Sequence, residues 1–196
     1  MLQKFDSTHP RFVDLIPPNC QLLGLLALLP ALGNGVWLVG GAIRRTIIGK
    51  EIDSDLDIVF SSKENKDKFH AALSSAGFVP TEVGTNTNWL HPGIKNVKVQ
   101  TIYLRYYNSP EEIFSTFDFT ICQFAFDGNS LYCGECALFD LANRRLVPNN
   151  IMYASASLRR IIKYSKQNFY LCSGAASEFL RKVISNPSSV LNQTLS

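Results

Sequence analysis

The segment from Val36 to Phe60 constrains the fold most, because it joins two apolar runs through a pair of glycines and a pair of acids. It reads VWLVGGAIRRTIIGKEIDSDLDIVF. The runs VWLV and LDIVF predict buried strands, and the stretch after Gly40-Gly41 predicts a helix that Gly49 ends. A strand, a turn, a helix and a second strand in this order predict an α/β domain.

The two glycines suggest a phosphate site. Glycines directly before a helix leave backbone N–H groups unobstructed, and the helix N-terminus adds positive potential. We therefore expect Gly40 and Gly41 to bind the phosphates of a nucleotide and Arg44 to assist them. A Gly-Gly turn by itself is more often only a turn, so the hypothesis depends on the acids that follow.

Asp55 and Asp57 are two residues apart on a predicted strand, so their side chains point the same way, while Leu56 and Ile58 point into the core. Neighbouring carboxylates repel each other unless a cation lies between them, and Mg²⁺ prefers carboxylate, water and phosphate oxygens. The pair therefore predicts a catalytic Mg²⁺ site, with two metal ions expected. Alone, an Asp-x-Asp is more often a solvated strand end.

The remaining sequence indicates one main domain with short extensions. Residues 1–19, with three prolines, are expected to be irregular. Residues 20–150 form the predicted α/β domain, residues 151–185 two helices, and the Ser/Asn-rich residues 186–196 a flexible tail.

Composition limits the class of protein. Of 196 residues, 46% are hydrophobic and only 18% are charged, which excludes a disordered chain. Five cysteines, an odd number, favour reduced thiols, and there is neither a signal peptide nor an apolar run long enough to span a membrane. We expect a cytoplasmic protein. The net charge of +3 permits a phosphate-bearing ligand without requiring one.

Three motifs together resemble a known family. The segment GGAIR with the later DLDI is similar to the head domain of class II CCA-adding enzymes and bacterial poly(A) polymerases, in the polymerase-beta-like nucleotidyltransferase superfamily. The segment from Asp118 to Cys122, DFTIC, resembles that family's second motif. Arg160 and Lys163 keep the spacing of its arginine-bearing helix.

The resemblance implies a small mixed sheet flanked by helices, with a short helical C-terminal piece. It also implies Mg²⁺-dependent transfer of a nucleoside monophosphate from an NTP to an acceptor. That acceptor is left open between an RNA or tRNA 3′ end, a protein hydroxyl and a small molecule, and the oligomeric state is open too. The implied roles are metal binding by Asp55 and Asp57 and nucleotide binding by Gly40, Gly41, Arg44, Asp118, Arg160 and Lys163.

The sequence also departs from the family. Arg45 replaces an Asp, and the base-selecting Glu-Asp falls on Ala156 and Ser157, so we expect altered base selection. Lys98 and Gln100 occupy the strand where other branches carry a third carboxylate. Two alternatives follow: a catalytically weak or inactive nucleotide-binding regulator, and a toxin-like enzyme that modifies tRNA or protein. The lone CxxC of Cys133 and Cys136 favours a reduced turn pair over a zinc site, since zinc needs four ligands.

Overall fold

The computed structural model describes residues 2–94 and 97–185, which form one mixed sheet with helices packed against it. The strands are β1 (Gln3–Asp6), β2 (Val36–Val39), β3 (Leu56–Phe60), β4 (Val79–Val83), β5 (Asn86–Leu90), β6 (Val99–Ile102), β7 (Phe124–Phe126) and β8 (Ser130–Cys133). The helices are α1 (Phe12–Leu15), α2 (Gln21–Leu26), α3 (Gly41–Ile47), α4 (Lys63–Ser75), α5 (Pro110–Thr116), α6 (Ala137–Ala142), α7 (Ala154–Ser165) and α8 (Ser173–Ser185).

The strands lie in the order β1-β8-β7-β2-β3-β6-β5-β4. In the described chain, β3 and β6 are parallel and the other neighbouring strands are antiparallel. The central strands β2 and β3 are the two apolar runs that flank the Gly-Gly helix. The mixed α/β class expected from the sequence is confirmed.

The two faces of the sheet are packed differently. Alternate residues of β2 enter different cores: Leu38 joins a large core with Ile43 of α3, while Trp37 joins a smaller one with Ile113 and Phe114 of α5. The larger core also receives residues of α2 and α4. Within β3, Asp57 alone is not fully buried, and it lies on the same face as Val59, which belongs to the smaller core.

The residues at the start of α5 are typical of a helix N-terminus, and the structure has the corresponding hydrogen bonds. The Ser109 hydroxyl accepts a hydrogen bond from the Glu112 backbone N–H at 3.4 Å, and Pro110 is the first helical residue of α5. The Glu112 carboxylate accepts from the backbone N–H of Asn108 at 2.8 Å, one residue earlier than a standard capping box places it.

The structure differs from three local expectations. The segment 1–19, expected to be irregular, contains α1 and β1, because residues 3–6 pair with β8 far along the chain. The apolar run 119–126 predicts a single strand, but a 3₁₀ turn at Thr120–Cys122 interrupts it before β7. Residues 131–139 predict its hairpin partner, but the strand ends at Cys133 and the chain then enters α6. The predicted tail lies outside the described residues.

Candidate functional site

The Gly-Gly turn lies at the end of β2. Gly40 adopts φ +75°, a left-handed conformation that favours glycine, and a side chain added there would contact nothing within 4 Å. A Cβ on Gly41 would lie 3.2 Å from Ser54 Oγ. The turn therefore faces open space at Gly40 and borders the chain that leads into β3.

The two acids enter the sheet beside this turn. Asp57 pairs in register with Val39 of β2 and with Gln100 of β6, and Asp55 precedes β3. Leu56 and Ile58 belong to the larger core, so Asp57 lies on the opposite face of the strand. The side-chain alternation of β3 agrees with the sequence interpretation of these positions.

The electrostatics connect the acids to α7. Burial and the neighbouring charge of Asp55 raise the pKa of Asp57 to about 7, while Arg160 and Lys163 act in the opposite direction. Four charges from β3, the residue before it and α7 therefore influence one another. This proximity cannot be read from their separation in sequence.

Asp118 and Arg160 form an ion pair next to a pocket. Arg160 Nη1 donates to Asp118 Oδ2 at 2.8 Å, and Asp118 is buried while the Arg160 side chain is half exposed. Both line a pocket of about 340 Å³, together with Tyr107, Tyr153 and Ser157. Ser157, at one of the two positions where the family carries base-selecting acids, thus lines the pocket with a hydroxyl group.

Arg44 lies differently from the sequence expectation. It is 3% exposed, and its guanidinium carbon lies 4.4 Å from the centre of the Tyr164 ring. Its Nη2 donates to Gln167 Oε1 at 3.3 Å, whereas Nε and Nη1 have no hydrogen-bond partner among the described residues. An arginine expected to face phosphate is therefore covered by the end of α7 and the turn after it.

Sequence reasoning missed two residues near the site. The Ser54 hydroxyl beside Gly41 is buried and has no hydrogen-bond partner within residues 2–94 and 97–185. Tyr164 contacts both Arg44 and Cys122, with its hydroxyl 3.2 Å from Cys122 Sγ. The sequence signal for Ser54 is its position next to Asp55, while nothing local marks Tyr164.

Eight residues from four parts of the chain make up what we call the candidate nucleotide site: Gly40, Gly41, Arg44, Asp55, Asp57, Asp118, Arg160 and Lys163. No carboxylate occupies the β6 position beside Asp57, because Gln100 stands there and donates its amide to Asn88 Oδ1 at 2.9 Å. No cluster of three or more His, Cys, Asp or Glu residues suited to a metal occurs in the described part of the chain.

The cysteines do not add a second site. Cys133 is fully buried at the end of β8, and burial raises the pKa of its thiol to about 12. Cys136 is exposed at the start of α6, and both thiols are free. Among the described residues, these two thiols belong to no group of three or more possible metal ligands, and the reduced turn pair stays a prediction. Within the described residues, no helix is both long enough and apolar enough to cross a membrane.

Solved structures share the fold of this chain. The CCA-adding enzyme of Thermotoga maritima complexed with tRNA superposes with a TM-score of 0.67 at 18% identity, covering 93% of this chain and 46% of that one. A CCA-adding enzyme with ATP gives a TM-score of 0.65 at 18% identity, covering 93% of this chain and 46% of that one. The fold is that of a nucleotidyltransferase head domain.

The sequence comparison identifies the family. The Gabija anti-defense 2 family profile matches residues 19–144, and the chain belongs to that family. A curated relative, "Gabija anti-defense 2" of Bacillus phage SPbetaL7, is 30% identical over 155 residues, which is 77% of this chain. The chain spans 37% of that relative and under half of each of the two enzyme structures.

Proposed function

We propose that this chain is a Mg²⁺-dependent nucleotidyltransferase that moves a nucleoside monophosphate from an NTP to an acceptor hydroxyl. The observation that carries the proposal is the geometry of β3, which places Asp57 opposite Val39 beside the Gly-Gly turn and on the face away from Leu56 and Ile58. Burial and the charge of Asp55 raise the pKa of Asp57, and a cation between the two carboxylates would favour the ionised form of both.

The residues fit a divalent cation. Asp55 and Asp57 offer carboxylate oxygens, and water and the phosphates of the substrate would complete the coordination, as Mg²⁺ prefers. When bound, the metal would supply positive charge that favours ionisation of the acceptor hydroxyl and stabilises the departing pyrophosphate. The absence of a third acid at Gln100 makes substrate oxygens more important to the coordination.

The chain's own groups would orient the substrate. Gly40 leaves room for phosphate, and Arg160 and Lys163 bring positive charge to the same site. The acceptor oxygen would form a bond to the α-phosphorus, the bond from that phosphorus to the bridging oxygen would break, and pyrophosphate would leave while the hydroxyl proton passes to water. The pocket beside Asp118 and Arg160 would receive the base or the ribose.

Base choice should differ from that of a CCA-adding enzyme. Ala156 and Ser157 offer no carboxylate to the amino groups of cytosine and adenine, so the usual strong discrimination is lost. The enzyme should accept several NTPs, or select one through Asp118 or through a tyrosine of the pocket. Competition among the four NTPs measures this directly, and ordered C-C-A addition to a truncated tRNA would contradict it.

The biological role that we infer is phage anti-defense. The family description and the phage relative both carry that meaning. The acceptor would then belong to the host or to its defence, and RNA, tRNA and protein hydroxyls are all compatible with the chemistry. The second candidate function, a nucleotide-binding regulator without transfer activity, is favoured by Gln100 at the position beside Asp57.

The deciding experiment incubates the protein with each α-labelled NTP, Mg²⁺ and host extract separated into RNA and protein. Transfer of label that disappears in Asp57→Asn and persists in Asp67→Asn supports the enzyme. Asp67 is a matched control because it lies on α4, outside the site, in exposed ion pairs. Nucleotide binding without transfer to any fraction would support the regulator instead.

A further inference from the structure

Arg44 is a buried cation that lacks the usual compensation. Neither Nε nor Nη1 finds an acceptor among the described residues, and its one hydrogen bond, to Gln167, is long at 3.3 Å. Across residues 2–94 and 97–185 it forms no ion pair with a carboxylate. Burying polar donors unpaired is costly, so this arrangement calls for a partner that is not part of the protein.

Two aromatic rings hold the guanidinium. Its central carbon lies 4.4 Å from the Tyr164 ring centre and 5.7 Å from that of Phe169. Aromatic faces attract a cation without using its N–H groups, whereas a carboxylate would occupy them. The rings therefore stabilise the charge and leave two donors free for an anion.

Tyr164 is itself well anchored. It is 7% exposed, its hydroxyl contacts Cys122 Sγ at 3.2 Å, and its ring packs edge-on against Phe119 and Phe169. It also belongs to α7, the helix that brings Arg160 and Lys163 towards Asp57. One helix thus connects the buried arginine to the rest of the candidate nucleotide site.

We propose that Tyr164 is a positioning residue, which holds Arg44 ready to bind the polyphosphate of the nucleotide. The inference rests on the proposed function, since the anion is the substrate's triphosphate. Because α7 and the turn after it cover Arg44, nucleotide binding must displace part of that turn. The long hydrogen bond from Arg44 to Gln167 is the polar contact that would break. Tyr164 and Phe169 stay beside the guanidinium while Gln167 gives way.

The test measures binding of inorganic triphosphate and of ATP, each with Mg²⁺, by calorimetry. Tyr164→Phe should bind both like the wild type, because the ring is kept. Tyr164→Met keeps an apolar side chain of adaptable shape and should weaken both by about tenfold, the effect of losing one cation–aromatic contact. Phe139→Leu removes the Arg145–Phe139 contact of 5.4 Å outside the site and should change neither affinity.

Arg44→Met supplies a readout that does not depend on how Tyr164 variants fold. Without ligand it should melt at the same temperature as the wild type or higher, because an unpaired buried charge is gone. The stabilisation that triphosphate confers on the wild type should be absent from it. An Arg44→Met protein that melts far lower, yet keeps the full triphosphate-induced shift, would show that Arg44 is a structural link and would overturn the proposal.

The kinetic signature separates this inference from the proposed function. Tyr164→Met should raise the KM for NTP and leave kcat nearly unchanged. If the wild type transfers label but Tyr164→Met binds triphosphate normally, the positioning role is wrong and the enzyme stands. If the wild type binds neither triphosphate nor ATP, both proposals fail together. If it binds both without transfer, and Tyr164→Met weakens that binding, the positioning role holds and the regulator replaces the enzyme.

Discussion

The charges on α4 and those of the candidate nucleotide site are arranged in opposite ways. On α4, Lys63 pairs with Asp67 and Lys68 with Glu64, each at 2.6 Å, with exposed side chains. At the site, Asp57 is partly buried beside another acid, and Arg44 is buried without an acid partner among the described residues. Exposed charges are stabilised by each other and by water. At the site, Asp57 and Arg44 lack a partner of opposite charge in direct contact among the described residues.

The difference shows where binding free energy can arise. Water screens the α4 pairs, so a ligand gains little by replacing a partner there. At the site, burial strengthens each interaction, and an incoming cation or phosphate would remove a penalty that the unliganded protein carries.

Replacing Asp57 should have the largest effect. Asp57→Asn removes one carboxylate of the proposed metal pair and should lower nucleotide transfer by at least about 100-fold, a loss of metal-assisted stabilisation of the transition state. The folded protein should not be destabilised at neutral pH, because the repulsion with Asp55 also disappears. Transfer rates and melting curves measured together check both parts. Transfer at wild-type rates would remove Asp57 from the mechanism.

Stability should depend on pH through the same residue. The pKa of Asp57 is raised from 3.8 to about 7 in the folded protein, so between those values the folded state binds more protons than the unfolded state. The free energy of unfolding should therefore fall as pH rises through this window, by roughly 1–4 kcal/mol from this group. Urea unfolding at several pH values measures the slope, and Asp57→Asn is the reference. Equal slopes in the two proteins would mean that Asp57 does not carry the effect.

Breaking the Asp118–Arg160 pair should have a smaller effect. Asp118→Asn replaces the carboxylate with an amide of similar shape and removes the charge that holds Arg160 at 2.8 Å. The KM for NTP should rise about tenfold, as expected when a charged contact that orients a binding group is lost. Asp67→Asn is the matched control, since it makes the same change of charge on α4, outside the site. A similar rise in KM for the control would indicate a general charge effect instead.

The α4 pair should matter least. Glu64→Gln removes the 2.6 Å contact with Lys68 on an exposed helix face. The melting temperature should change by less than about 2 °C, and transfer should be unaffected, because exposed pairs contribute little to stability. Calorimetric melting with a parallel transfer assay checks it. A large loss of stability would contradict the contrast between the two regions.

Local patterns predicted the centre of the fold well. The strands β2 and β3 and the Gly-Gly start of α3 agree with the sequence interpretation within a residue. These elements are short, strongly apolar and bounded by glycine or by a capping serine, so neighbouring residues define them. The placement of Asp57 opposite the core follows from strand alternation alone.

Contacts between residues far apart in the chain were harder to predict from the sequence. The pairing of β1 with β8 joins opposite parts of the chain, and four residues carry too little periodicity to predict a strand without its partner. The 3₁₀ turn before β7 interrupts an apolar run that predicts a continuous strand. In this turn the Thr120 hydroxyl donates a hydrogen bond to Asp140 Oδ2 at 2.7 Å. In both cases tertiary contacts outweighed local propensity.

The sequence by itself determined the α/β class, the Gly-Gly turn and the two acids that follow it, because each depends on residues within one strand or one turn. The tertiary structure alone decided that Arg44 lies under Tyr164 and that Asp118 meets Arg160. The latter two residues are 42 positions apart, and the Arg44 contact to Gln167 spans 123. Such contacts depend on how α7 and the turn after it pack against α3 and against the segment that carries Asp118, which no local pattern of residues specifies.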